Sequence, residues 1–482
     1  MNEAPPDPSS LAGSPWVAAE PGLVAAAAEL KDLLRAERQT LADHAARLAR
    51  PGPVSPRRAL QHLGAMTGAR WRWQYGRFPA DLVRGRVLAD PAGYAKATAA
   101  RLVGDHLSGL GAAAAETSHI IEASEGLLPA VIVDEVKARP ARVAPVAGVT
   151  VEAIVTRAFG ERLVGIEASP VAATAVSQIH RATLVEDGRQ VLVRVRRPRV
   201  DRDLHADARI TATLVATLER LLPAVAGVHP LGFVELAARQ TLEEGDLRNE
   251  AANAVELGIS VEAMGLEETI RIAHPLPGLA DPRAVVFEDI GGMPLQESGR
   301  DFDVDRVLRG FLALSVESAL LTGVFHADLR AENLVLGSDG RLGVIGYGTV
   351  GHFDLAVRRG ALRYLTSIFT GDIDGQIEGL RMTGAVPAEV DLPALARDLA
   401  ATEALQPMQM MTGGQEAIVV GLKEAVALLL RHQLRPPLEV TLFVRNVFAL
   451  NAFIRRFAPE SNLMMAMMPL VQKLPDMAAA LE

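Results

Sequence analysis

His326-Ala327-Asp328-Leu329-Arg330-Ala331-Glu332-Asn333 is the stretch on which the reading of this chain turns. Its H-x-D-x4-N spacing fits a compact loop with two jobs. The Asp orients or deprotonates an acceptor, and the Asn, five residues on, reaches a magnesium ion. Short H-x-D matches arise by chance, so the surroundings have to carry the argument.

Working outward, Leu334–Leu336 and residues 341–345 are expected to form a hairpin around Ser338-Asp339-Gly340. Ile345-Gly346-Tyr347-Gly348 then stands where a kinase places Asp-Phe-Gly. Upstream, Val191-Leu192-Val193-Arg194-Val195 reads as a strand in the place of Val-Ala-Ile-Lys. Glu243-Glu244-Gly245-Asp246-Leu247-Arg248-Asn249-Glu250 offers a carboxylate to pair with that strand's cation, and Ala284–Glu288 supplies a hinge-like strand. Several elements in the right order are far less probable by chance than any one alone.

The remaining pattern frames these elements. Helices are expected over 22–49, 91–135, 149–160, 201–222, 231–258, 305–324 and throughout 354–474. Strands are expected over 171–182 and 191–195, with a turn at Glu186-Asp187-Gly188. Residues 51–80 read as turn-rich and hold Arg70-Trp71-Arg72-Trp73-Gln74-Tyr75. That alternation suits base stacking, a membrane interface, or Arg packed on Trp at an element edge. The sum is an α+β chain: a tail over 1–20, a helical extension over 21–135, a small β-rich lobe with inserted helices over 136–292, and a helical lobe over 293–482.

The sequence also resembles the UbiB/AarF (ABC1-type) atypical kinase-like family, over roughly residues 95–472. Pro170-Val171-Ala172-Ala173-Thr174-Ala175-Val176-Ser177-Gln178-Ile179-His180-Arg181-Ala182 resembles that family's Ala-rich nucleotide loop. Glu244-Gly245-Asp246 with Glu250-Ala251-Ala252-Asn253-Ala254 resembles its E-x-D and Glu-Ala-Ala-Asn helix. Phe325 to Asn333 resembles its catalytic loop, and Pro459-Glu460-Ser461-Asn462-Leu463 its C-terminal end. The resemblance implies a two-lobed protein-kinase-like fold with ATP or ADP between the lobes. Asp328, Asn333, Arg194 and Glu250 would be the catalytic set. Ala172, Ala173, Thr174, Ala175, Ser177, Arg194, Glu288 and Tyr347 would hold the nucleotide. It further implies an accessory role in quinone or isoprenoid-lipid biosynthesis, with an enzyme or a lipid-like molecule as partner.

The departures point to a degenerate member. The family's strand Lys is Arg194, and the metal-binding Asp is Gly346. The K-x-G-Q signature would fall near 115–119, which reads Ala-Glu-Thr-Ser-His. Arg is longer and planar where an ammonium must fit. Asn333 and Asp328 alone are poor magnesium ligands, because the ion favours octahedral oxygen coordination with carboxylates to offset its charge. Weak or lost phosphoryl transfer is therefore expected, with a scaffold or lipid-binding module as the alternative. His326 is expected to orient the loop by hydrogen bonding. A rival reading takes Gly346-Tyr347-Gly348-Thr349-Val350-Gly351 as a dinucleotide fingerprint, with Asp372 or Asp374 as ribose partner. The Met runs at 408–411 and 464–468 suit either an adaptable apolar surface or core filling.

Composition bounds the rest. With 482 residues, 49% hydrophobic and 22% charged, the chain is ordinary globular material of about three domains' length. Lys+Arg 49 against Asp+Glu 58 gives −9, which argues against a general nucleic-acid binder. No Cys excludes disulfides, Cys-ligated zinc, iron–sulfur clusters and a Cys nucleophile. The opening residues carry no basic or apolar leader, and no long uninterrupted apolar run occurs. A cytoplasmic protein is expected, with peripheral contact at a membrane's inner face left open.

Overall fold

In the computed structural model the described residues are chiefly 56–108, 130–139, 145–198 without Ala175, 244–295, 302–329, 333–402, 431–457 and 463–481. Two compact units divide the chain. A sheet unit holds Asp32–Asn249 and Leu279–Phe287; a loop unit holds Glu250–Gly278 and Glu288–Glu482.

The sheet unit begins with α1 (Pro56–Trp71), which runs through a π-helical turn (Arg72–Arg77) into α2 (Phe78–Val83). The expected turn-rich stretch is thus helical from residue 56. Inward groups fix the helix: His62 Nε2 bonds Asp207 Oδ1 at 2.9 Å, and Ala69 is buried. Next come α3 (Pro91–Ser108), α4 (Ala130–Lys137) and α5 (Gly148–Phe159). Of the helix expected over 91–135, only its two ends are described, as α3 and α4. The extension over 22–49 lies outside the described residues except 46–47, as do most of 201–243, the tail and the Met run at 408–411.

The strands β1 (Leu163–Val164), β2 (Ala172–Ala173), β3 (Ser177–Leu184) and β4 (Gln190–Arg196) follow. The single strand expected over 171–182 is therefore two, broken at Thr174. Antiparallel pairing sets Ile179 opposite Arg194 and His180 opposite Val193. β4 is buried along nearly its whole length, with Val191, Leu192, Val193 and Val195 apolar and the cation Arg194 buried among them. α5 packs on β1 and β4 and buries Val151 and Val155.

α6 (Leu247–Ala263) leads to β5 (Ile270–Ile272), β6 (Pro275–Asp281) and β7 (Ala284–Glu288). The sheet order is β1-β3-β4-β7-β6, with β2 on β3. β6 was not expected, because its Pro-Leu-Pro-Gly sequence reads as a turn. The helix expected over 305–324 is α7 (Val304–Leu312), a π-helical turn (Ala313–Glu317) and α8 (Ser318–Leu321).

With β8 (Met293–Pro294), β10 (Leu334–Leu336) and β11 (Leu342–Val344), β5 makes a second sheet in the order β5-β11-β10-β8. The expected hairpin is β10–β11, antiparallel with Val335 opposite Gly343. β9 (Val324–His326) pairs antiparallel with β12 (Val350–His352). The other described elements of the loop unit are helices, as expected: α9 (Leu355–Thr370), α10 (Ile373–Met382), α11 (Leu392–Ala401), α12 (Leu438–Phe457) and α13 (Leu463–Leu481). Ile377, Leu395, Leu399, Leu428 and Leu434 form one core cluster there. No helix among the described residues is long and apolar enough to cross a membrane.

Candidate functional site

The quoted loop starts where β9 ends. Phe325 lies opposite Gly351 in the β9–β12 pair, and a Cβ on Gly351 would come within 2.1 Å of the Phe325 ring. Glycine is therefore required there by a close approach. Phe325 stacks edge-on with Phe353 and Phe443, so the loop leaves from a rigid aromatic base.

His326 is fully buried and its tautomer follows from its partners. Nδ1 accepts from the Asp328 N–H at 3.1 Å, so the proton sits on Nε2, which donates to the Gly346 carbonyl at 2.6 Å. One imidazole thus orients the start of the loop and ties it to the Gly346 segment, the orienting role expected of it. Asn333 Nδ2 donates to the Asp328 carbonyl at 2.9 Å and lies 3.4 Å from Oδ2 of the same residue. Arg330, Ala331 and Glu332 lie outside the described residues.

Two further residues reach the loop from α12, and the sequence reading missed both. Arg445 donates to the Ala327 carbonyl at 2.6 Å and stands 3.9 Å from Asp328 Oδ1; Asn446 donates to the His326 carbonyl. Both are buried. The signal was present: Leu442, Leu450 and Ile454 define the inward face of α12, and helical spacing puts Arg445 and Asn446 on it.

Glu250 and Asn253, one turn apart on α6, grip the backbone of Tyr347. Glu250 Oε1 accepts from the Tyr347 N–H at 3.1 Å, and Asn253 Nδ2 donates to its carbonyl at 2.8 Å. The Tyr347 hydroxyl accepts from the Ala273 N–H at 2.6 Å and donates to the Val344 carbonyl. Tyr347 is fully buried. It was expected to line a nucleotide cleft; it is instead a core residue of the loop unit, with every polar group engaged. Glu288 is half-buried, and its N–H donates to the His274 carbonyl at 2.9 Å.

The loop unit therefore gathers Asp328, Asn333, Glu250 and Tyr347 around Gly346. The other expected residues make an arrangement of their own in the sheet unit. Ala172 and Ala173 pair with Ile179 and Gln178. Thr174 Oγ1 accepts from the Ser177 N–H at 3.0 Å, and the Thr174 N–H donates to the Ser177 carbonyl at 2.8 Å. Arg197 Nε donates to the Thr174 carbonyl at 2.8 Å, pinning the turn. Ser177 and Arg194 are buried; Ala175 lies outside the described residues. Asp246 is bound locally, with the Arg248 guanidinium at 2.6 Å. Of the 115–119 stretch only Ser118 is described.

The loop donors do not fit a magnesium ion held in the kinase manner. Asp328 brings one carboxylate and Asn333 one amide oxygen. A Cβ on Gly346 would lie 2.4 Å from Asn333 Oδ1, so the Asn amide fills the space an Asp side chain would enter. Among the described residues no three His, Cys, Asp or Glu side chains converge as a metal site. The dinucleotide reading fails on topology. Gly346–Gly351 should open a helix, but Val350–His352 is a strand and α9 begins only at Leu355. Asp372 caps α10, accepting from the Gly375 N–H at 2.9 Å.

The family model of the ABC1 atypical kinase-like domain matches residues 140–379. An uncharacterized aarF domain-containing protein kinase of Arabidopsis thaliana chloroplasts is 28% identical over 246 residues, 48% of this chain and 44% of that protein. A probable protein kinase UbiB of Cronobacter sakazakii is 27% identical over 226 residues, 44% of this chain and 40% of that protein. The chain thus spans under half the length of these two relatives. A Mycobacterium tuberculosis protein solved in complex with erythromycin aligns with TM-score 0.46 at 20% identity, covering 70% of this chain and 86% of that one.

Proposed function

Residues 140–379 belong to the UbiB/AarF (ABC1) atypical kinase-like family, and from that premise we propose that this protein is a pseudokinase: it binds ATP or ADP without ordinary magnesium-dependent phosphoryl transfer. The observation that carries this is the Asn333 amide filling the space beside Gly346. A metal site of this kind needs several converging oxygens with compensating charge. Among the described residues of the loop the carboxylate set is reduced to Asp328, and the Arg445 guanidinium 3.9 Å away already offsets its charge. Losing one charge-stabilising group of a preorganised site costs about 10²–10³ in rate. Arg194 supports retained affinity for a phosphate-bearing ligand, since its position on β4 keeps a permanent cation. The family resemblance supports an accessory role in quinone or isoprenoid-lipid biosynthesis.

The test is calorimetric titration of the full chain with ATP, with and without magnesium, beside turnover of the wild type and Asp328→Asn. Binding that magnesium leaves unchanged, with no turnover sensitive to Asp328→Asn, is the expected result. Magnesium-dependent turnover abolished by Asp328→Asn overturns the proposal. Absence of any binding replaces it with the scaffold or lipid-binding reading.

A further inference from the structure

The second sheet of the loop unit has a gap on one face. Register places Arg271 of β5, Gly343 of β11 and Val335 of β10 side by side on three neighbouring strands. Residues in register share a face, so the row reads cation, no side chain, valine. Val335 and Ile290 lean over the empty position: a Cβ on Gly343 would lie 2.5 Å from Val335 Cγ2 and 2.8 Å from Ile290 Cδ1. What remains is a cavity of about 30 Å³ between Arg271, Ile290, Val335 and the turn 337–341. It has room for two or three water-sized groups.

The turn that bounds this cavity is fixed. The Gly337 N–H donates to the Arg341 carbonyl at 2.9 Å, and the Gly340 N–H to the Gly337 carbonyl at 2.9 Å. Asp339 accepts from the Arg341 N–H at 3.0 Å and from its Nε at 2.7 Å, so its charge is compensated and held in place. Arg306 of α7 donates to the Asp339 carbonyl at 3.2 Å. Arg271 differs from these two arginines. It is half-buried on the cavity wall, and among the described residues its guanidinium has no hydrogen bond or ion pair. Its charge is felt nearby: His274 is pushed down to about 4 by burial and then by Arg271. A cation partly removed from water is normally matched by an oxygen partner, and the cavity is the space in which such a partner fits.

We propose that this cavity binds the carboxylate of a small organic acid, with Arg271 as its counter-ion. A planar guanidinium takes a carboxylate through two parallel hydrogen bonds. Ile290 and Val335 offer an apolar wall to the carbons behind it. The fixed Asp339 carboxylate repels the second charge of a phosphate dianion, which favours a monoanion. The site shares no residue with the Asp328 loop or with Gly346.

The test is saturation-transfer NMR on propionate with the full chain. Propionamide serves as the uncharged isostere and inorganic phosphate as competitor. The variants are Arg271→Gln and Ser338→Asp. Ser338 is exposed on the cavity lining, so its substitution sets a competing carboxylate beside Arg271 without touching the core. Saturation should pass to propionate and not to propionamide, with an affinity that falls at least about tenfold in both variants. Melting curves check folding; should Arg271→Gln melt early, Ser338→Asp decides alone. No transfer to propionate, equal transfer to propionamide, or an unchanged affinity in a folded variant overturns the proposal. Phosphate that displaces propionate and binds more tightly also overturns it, and assigns the cavity to a phosphoryl group.

Discussion

Gly346 and Asn333 have to be considered together, because one occupies the space the other leaves. Returning the carboxylate with Gly346→Asp drives a Cβ to 2.4 Å from Asn333 Oδ1. The expected result is a loss of about 1–3 kcal/mol in urea unfolding, as for other overpacked sites, with no gain of magnesium-dependent turnover. A stable variant that turns over ATP with magnesium sinks the argument. Arg445 gives a second test at this scale. Arg445→Met removes the donor to the Ala327 carbonyl and the cation beside the mostly buried Asp328, and should cost roughly 2–4 kcal/mol. Combined with Asp328→Asn the cost should shrink, giving a coupling of about 0.5–3 kcal/mol in a double-mutant cycle; strict additivity would show that the two do not interact. These residues also mark how far the sequence was readable. Asp328, Asn333 and Gly346 lie in one short stretch, where spacing and the flanking elements single them out. Arg445 and Asn446 arrive from a helix more than a hundred residues on, and only the folded chain brings α12 to the loop.

Four helices of the loop unit start in the same way. Asp303, Asp354, Asp372 and Asp391 accept the N–H of the residue three positions on, at 3.0, 2.8, 2.9 and 3.0 Å. Each satisfies an otherwise orphaned donor of the first turn. Asp391→Ala should therefore lower stability by about 1 kcal/mol, and Asp391→Asn should be close to neutral, because Asn caps as well as Asp. Thermal unfolding of the two variants decides it; equal losses would mean that charge, not the cap, is what matters. The sequence reading takes 354–474 as helical without dividing it; caps of this kind are the signals that divide it, at Asp354, Asp372 and Asp391. The strands β5, β8, β9 and β12 could not, because two or three residues carry no period and exist only through their ladder partners. The π-helical turn Ala313–Glu317 leaves no local signature either. Its Glu317 is fixed by Lys473 of α13 at 2.6 Å, a partner far along the chain.

Across the whole molecule, each unit holds, among the described residues, a part-buried histidine that resists protonation. His106 in the sheet unit is pushed down to about 4 by burial and by neighbouring His62, with Asp207 opposing. His274 in the loop unit is pushed down to about 4 by burial and by Arg271. Between pH 6.5 and pH 4 the unfolded chain takes up a proton at each position and the folded chain does not. The unfolded state therefore binds more protons in that window, and stability falls as pH is lowered through it. The carboxylates held low by their partners sit on the other side of the window. The Arg341 backbone N–H and guanidinium keep Asp339 below 3.8, the Gly375 N–H and Arg363 keep Asp372 there, and Arg431 and His432 keep Asp398 there. What these carboxylates contribute is lost only as pH falls through still lower values, so a decline between pH 6.5 and 4.5 reports the histidines. Urea midpoints across that range should drop steadily in the wild type. They should drop less steeply in His106→Gln and in His274→Gln, and least in the double variant, since the two sites belong to different units and share no partner among the groups that shift them. A wild-type midpoint that stays flat between pH 6.5 and 4.5 would show that neither histidine is held neutral by the fold.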